Sequence, residues 1–168
     1  MYRLLLPFSL LSDNIEYLSE IDQIMMKSTP LSEETALLVH DSYRRCMLAS
    51  NFLPLFHQKM IGSSKEVAKY FDVFPVNQRY RILAKSVAEL VSFAEKKPEA
   101  IQQMNEVARL HSREKLRLKP EFYTFWSSSF METISELDDQ WNDELETAWT
   151  DSISHGIEYL IQKNSFRL

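Results

Sequence analysis

Glycine is nearly absent from this chain: Gly62 and Gly156 are the two in 168 residues, and no Asn-Gly pair occurs. Tight hairpins between strands need residues that accept positive φ, chiefly Asn-Gly, Asp-Gly or Gly-Gly. A sheet protein of this length would need several. The sequence instead carries long runs with apolar residues three and four apart, broken by Pro and Ser. The expectation is an all-α domain. One domain of this size buries about two-thirds of its unfolded surface, and a hydrophobic content of 45% is that of an ordinary globular core.

A net charge of −5 without a basic block disfavours nucleic acid as a partner. Cys46 is the single cysteine, which excludes an intrachain disulfide and argues against a zinc cluster. A lone thiol suits a reducing cytoplasm, the expected location. The start, Met1 to Leu11, is apolar like a secretory signal, but Pro7 breaks the run and no small-x-small cleavage site follows. Residues 1–30 are therefore read as an N-terminal arm. Ile15, Leu18, Ile21, Ile24 and Met25 give it a helical pattern over about 13–27. No stretch is long and apolar enough to span a membrane, and no membrane role is expected.

Start and stop signals divide residues 31–168, read as one domain. Ser32, before Glu33 and Glu34, caps a helix to about Met47. Ser50 and Asn51 start another, Phe52 to Ile61, with Pro54 in its first turn and Gly62 as its stop. Ser63-Ser64-Lys65-Glu66 reads as a capping box for a short turn, Val67 to Phe71. After a connector, Asp72 to Pro75, a long helix runs from about Val76 to Lys96. Its apolar face is Leu83, Val87, Leu90, Val91 and Ala94, with Gln78, Ile82 and Ser86 along the edge. Pro98 opens the next helix, Glu99 to about Ser112, which puts Ile101, Met104, Ala108 and His111 on one face. Pro120 opens a helix to about Glu136, and Asp138 and Asp139 begin the last, to about Gln162. Seven to eight unequal helices, one of them very short, suit steep crossings around something enclosed.

Five pieces of this pattern belong together. They are Phe56-His57-Gln58-Lys59-Met60, Val67-Ala68-Lys69-Tyr70-Phe71, Gln78-Arg79 with Ile82, Ala108-Arg109-Leu110-His111, and Pro120-Glu121 with Tyr123. In this order and spacing the chain resembles the bacterial single-domain globin (haemoglobin-like) family over roughly residues 32–162. A histidine closing a helix that begins Lys97-Pro98-Glu99-Ala100 fits the same pattern. The resemblance implies a globin-like fold with an extra N-terminal helical arm, and haem b as the cofactor.

By that resemblance His111 is the proximal iron ligand. Haem iron needs one neutral imidazole from the pocket wall, oriented by a hydrogen-bond partner. Taken alone, a histidine on an apolar helical face is more often structural. The resemblance further implies that Phe71 packs on the porphyrin face, that Gln78 is the distal polar residue and that Ile82 lies one turn later. Tyr123 and Trp126 fall on the proximal and inner pocket, with Phe74, Met104, Val107, Leu110 and Leu116 as further lining; each of these also suits plain core. Arg109, Arg113 and Lys115 could meet the haem propionates. His57 departs from the family, which has Tyr or Phe after the residue matching Phe56. A distal hydrogen bond to bound ligand is the favoured role for His57; direct coordination as a sixth ligand and an outward-facing position stay open.

The functional expectation is reversible binding of O2, or of NO or CO. No flavin- or nicotinamide-binding pattern accompanies it, so NO dioxygenase or peroxidase-like turnover would need an outside reductase, and the chain is read as a binding protein rather than an enzyme. A sensing role would run through a partner or a homodimer contacted by the N-terminal arm. The competing expectation is a haem-free globin-like signalling or interaction domain. A bilin-binding relative is disfavoured because Cys46 lies on an early helix. The cysteine, histidines and serines form no recognisable nucleophile arrangement.

Overall fold

A computed structural model describes residues 30–112 and 115–165. The arm over 1–29, with its expected helix, lies outside the described residues. Among those described there are seven helices and no strand. They are α1 (Glu33–Leu48), α2 (Phe52–Ser63), α3 (Lys65–Asp72), α4 (Val76–Ala94), α5 (Ala100–His111), α6 (Pro120–Leu137) and α7 (Asp143–Ser165). None is long and apolar enough to cross a membrane.

The helix starts follow local chemistry. Ser32 Oγ accepts from Thr35 N at 3.0 Å and caps α1, while Glu33 and Glu34 sit at its positive end. Pro120 takes the first turn of α6, where its missing N–H costs no hydrogen bond. Several ends differ from the sequence reading. Gly62 is not a stop: α2 runs through it to Ser63, and no glycine takes a positive φ. The cap of α3 is Ser64 Oγ, accepting from Glu66 N at 3.1 Å, whereas Ser63 Oγ turns back to the Met60 carbonyl at 2.7 Å. The capping box expected from Ser63 is therefore not formed. Pro98 lies in a turn ahead of α5, not in its first helical position.

Asp138 and Asp139 do not open the last helix either. Asn142 does, through its side-chain oxygen to Leu145 N at 2.9 Å. Asp138 instead ends α6, its side chain fully buried against Arg45 of α1. The guanidinium meets both carboxylate oxygens, at 2.7 and 2.8 Å. Burial alone would raise this carboxyl, but Arg45, Ser42 and the Gln140 N–H outweigh it and hold Asp138 below the usual carboxylate range.

The core is aromatic. Tyr43 of α1, Phe52 and Phe56 of α2, Trp126 and Phe130 of α6 and Trp149 of α7 form one connected cluster. Phe130 packs edge-on to Trp149 at 4.9 Å and stacks on Trp126 at 5.1 Å. Such pairs contribute about 0.5–1.5 kcal/mol each beyond their buried area. The Trp149 indole N–H is satisfied by buried Ser42 at 2.9 Å. Around this cluster α2 packs on α6, and α7 lies against α1, α4 and α5. Gly156 sits where α7 meets α4 and α5. A Cβ there would collide with Leu90 and come within 3.3 Å of the Met104 terminal methyl. The absent side chain lets α7 hold α4 and α5 in place, and α5 ends on His111.

Candidate functional site

His111 is the last residue of α5, because Ser112 leaves helical geometry (φ −61°, ψ 165°). The connector then folds back over the helix end. Leu116 N donates to the Leu110 carbonyl and Leu118 N to the His111 carbonyl, both at 3.1 Å. Arg117 makes this return with φ 54°, a conformation usually left to glycine. Carbonyls that a helix end leaves unpaired are thereby satisfied.

The His111 ring is oriented from α6. Its Nδ1 lies 3.1 Å from the Tyr123 hydroxyl, and Tyr123 is itself 7% exposed. Burial lowers the His111 pKa to about 4 and pushes the Tyr123 phenol up to about 12. Both are uncharged at neutral pH. With the proton on Nδ1, that N–H donates to the Tyr123 oxygen and Nε2 keeps its lone pair. This is the arrangement of a metal-ligating histidine and its orienting partner.

A second imidazole faces inward from α2. His57 is 7% exposed. Its ring is wedged edge-on between Phe71 and Tyr80, each with centroids 5.6 Å away. Its Nε2 is buried and has no hydrogen-bond partner. An orphaned buried polar atom costs about 1–3 kcal/mol. Burial lowers the pKa of His57, and the Arg79 charge lowers it further against the opposing pull of Asp72.

One run of contacts joins the two histidines. His57 touches Phe71. Its neighbour Tyr70 packs on Phe122 with centroids 4.7 Å apart and donates to the Arg117 carbonyl at 3.4 Å. Phe122 is followed by Tyr123, which holds His111. A salt bridge, Lys119 to Glu66 at 3.0 Å, pins the same junction from outside. On the inner wall Trp126 Nε1 donates to Ser86 Oγ at 3.0 Å and lies edge-on to Phe56 at 5.6 Å.

The remaining expected residues divide by exposure. Met104 is buried and Val107 packs partly buried against the core. Phe74 is half-buried, its carbonyl accepting from Arg79 Nε at 2.7 Å. Gln78 is exposed. So are Ile82, Leu110 and Leu116, at 37%, 46% and 42%. Arg109 pairs with Glu106 at 3.0 Å, Lys115 is exposed, and Arg113 lies outside the described residues. Tyr70, Tyr80 and Ser86 join the site without having been singled out as site residues. Ser86 was within reach of sequence reasoning, being one turn beyond Ile82.

His111 meets one requirement of a haem site. A porphyrin brings four donors to its iron, so the protein need add one imidazole. Among the described residues no three His, Cys, Asp or Glu side chains gather as a metal site, while His111 presents one oriented, neutral ring. A surface groove of about 610 Å³ between α2 and α6, lined by Leu55, Lys59, Gly62, Phe125, Ser129 and Glu132, includes neither histidine.

No protein-family model matches the sequence, and no curated protein matches it. Among solved structures it is similar to a protein from Pseudomonas aeruginosa PAO1 described as structurally highly homologous to a human hemoglobin. The two share 24% sequence identity and superpose with a TM-score of 0.73, over 77% of this chain and 98% of that one. At that identity the likeness speaks for architecture. The chain has the globin-like fold that its motif order led one to expect.

Proposed function

We propose that this protein binds haem through His111 and reversibly takes up O2, or NO or CO, on the opposite face. The observation that carries the reading is His111 itself: half-buried, neutral, closing α5, with Nδ1 engaged by Tyr123 at 3.1 Å. Haem supplies an iron centre that binds diatomic gases. The chain supplies everything else. His111 Nε2 would hold the iron, and Tyr123 would fix the ring's rotation. Phe71, Met104, Val107 and Trp126 would exclude water from the site. The buried lone Cys46 accords with a reducing, cytoplasmic setting.

Haem titrated into the purified protein tests this. The expected outcome is a Soret band saturating at one haem per chain. The reduced form should then shift on adding CO or O2 and return when the gas is removed. A flat titration, or a haem that any gas displaces, would contradict the reading and favour an interaction domain that has kept the fold alone.

A further inference from the structure

Helix α1 carries leucines on the wrong side. Its core face is Val39, Ser42 and Cys46, all buried. Leu37 is nevertheless 58% exposed and Leu48 82%. At 3.6 residues per turn, Leu37, Asp41, Arg44 and Leu48 fall in one stripe, and that stripe points away from the core face. Between the two leucines, Arg44 pairs with Asp41 at 2.9 Å, so the middle of the stripe already balances its own charge. Glu33, Glu34, Leu38 and Asp41 border a shallow hollow beside Leu37. A single exposed leucine needs no explanation. Two in line on one helix make a seat when something apolar is held next to them.

The chain supplies that occupant. By sequence, residues 13–27 place Leu18, Ile21 and Met25 on one side, with Ile15 at its edge, and Glu16, Glu20 and Lys27 on the other. Only residues 28–32 separate this stretch from α1. Two helices joined by so short a connection lie antiparallel and side by side. Leu31 N donates to the Ala94 carbonyl at 3.2 Å, which fixes the point from which the arm leaves. The two stripes also match in length. Leu37 and Leu48 are roughly 16 Å apart along α1, and Ile15 and Met25 roughly 15 Å apart along a helix. Folding the chain back about residue 30 sets Leu37 against Ile21 and Met25, and Leu48 at the Ile15 end.

We propose that the outer face of α1 is the docking surface for this chain's own residues 13–27, packed antiparallel with their apolar side inward and their charges in water. The arm is then a cover for α1. A partner that uses the arm must first lift it from Leu37 and Leu48. The proposal stands apart from the haem reading, and its test needs no haem.

Disulfide trapping in the full-length chain tests the seat. Leu37→Cys is combined in turn with Ile21→Cys, Met25→Cys and Gln23→Cys, and each protein is oxidised at low concentration. Leu37 is exposed, so its replacement leaves the core intact, and Cys46 is fully buried, out of reach of the reaction. Gln23 lies at the same distance along the chain but on the opposite side of the arm's stripe. At least one of the Ile21 and Met25 pairs should close an intrachain disulfide 10-fold or more faster than the Gln23 pair. A second readout leaves the arm unaltered: amides of residues 15–25 should exchange with solvent at least 5-fold faster in Leu37→Asn/Leu48→Asn than in wild type. Equal closure rates for all three pairs would overturn the proposal. So would unchanged exchange in the α1 variant. Disulfides that join two chains instead of closing one would overturn it too, by giving the seat to a second copy.

Discussion

Two histidines carry the account, and each makes a prediction at its own atoms. Tyr123→Phe removes the hydroxyl from His111 Nδ1 without opening space. Haem should still bind, about 10-fold more weakly, as expected when a ligand's orienting partner is lost. The iron–histidine stretch in a resonance Raman spectrum should move; an unmoved band and unchanged affinity would mean that Tyr123 orients nothing. His57 offers a test in the haem-free protein. Its buried Nε2 is unpartnered, so His57→Leu should raise apoprotein stability by about 1 kcal/mol, the lower end of the cost of an orphaned polar group. Chemical denaturation reads this directly. A variant less stable than wild type would show that the imidazole is already satisfied. Such a gain is the pattern of a residue kept for function at the expense of stability. That His111 closes one helix and His57 lies on an earlier one was legible from helix start and stop signals. That Gln78 is exposed while His57 is enclosed was not, because spacing alone does not report what packs across a helix.

Between elements, the Arg45–Asp138 pair ties α1 to the end of α6. The Asp138 side chain is fully buried and that of Arg45 is 26% exposed. Arg45→Ala would leave the carboxylate buried without its partner and should cost roughly 2–4 kcal/mol, a little under the range for fully enclosed pairs. The pH dependence follows from the sign of the shift. Asp138 is held below the usual carboxylate range in the folded protein, so its ionised form stabilises the fold. That contribution is complete above an unfolded pKa of about 4 and disappears as pH falls through the lower folded value. Urea titrations of wild type and Asp138→Asn should therefore differ at pH 7 and converge in acid. A constant gap would remove the carboxylate from the explanation. Sequence reasoning gave Asp138 to the start of a helix because Asp is a good cap. The competing fact, an arginine on α1 more than ninety positions earlier, is a tertiary contact with no local trace. Gly62 misled for a related reason. Glycine permits a stop, but Ser64, extended at φ −161° and ψ 140°, ends the helix and caps the next.

For the whole molecule, scarcity of glycine and the order of starts and stops were enough to reach an all-helical, globin-like fold. The apolar periodicity of each helix depends on neighbours three and four residues away, and that survives in sequence. What joins the helices does not. Gly156 shows this: its function is to be small beside Leu90 and Met104. Gly156→Val would drive α7 away from α4 and α5 and should cost about 1–3 kcal/mol, lowering haem affinity along with melting temperature; loss of one without the other would uncouple the packing from the site. The central claim, that His111 Nε2 holds the haem, is tested most directly by deleting the side chain and returning its ring. His111→Gly is mixed with haem, and the absorption spectrum is recorded with and without added imidazole. The account predicts no stable Soret band in the variant alone and a wild-type-like band once imidazole fills the gap. A variant that binds haem with the wild-type spectrum and ignores imidazole would contradict it.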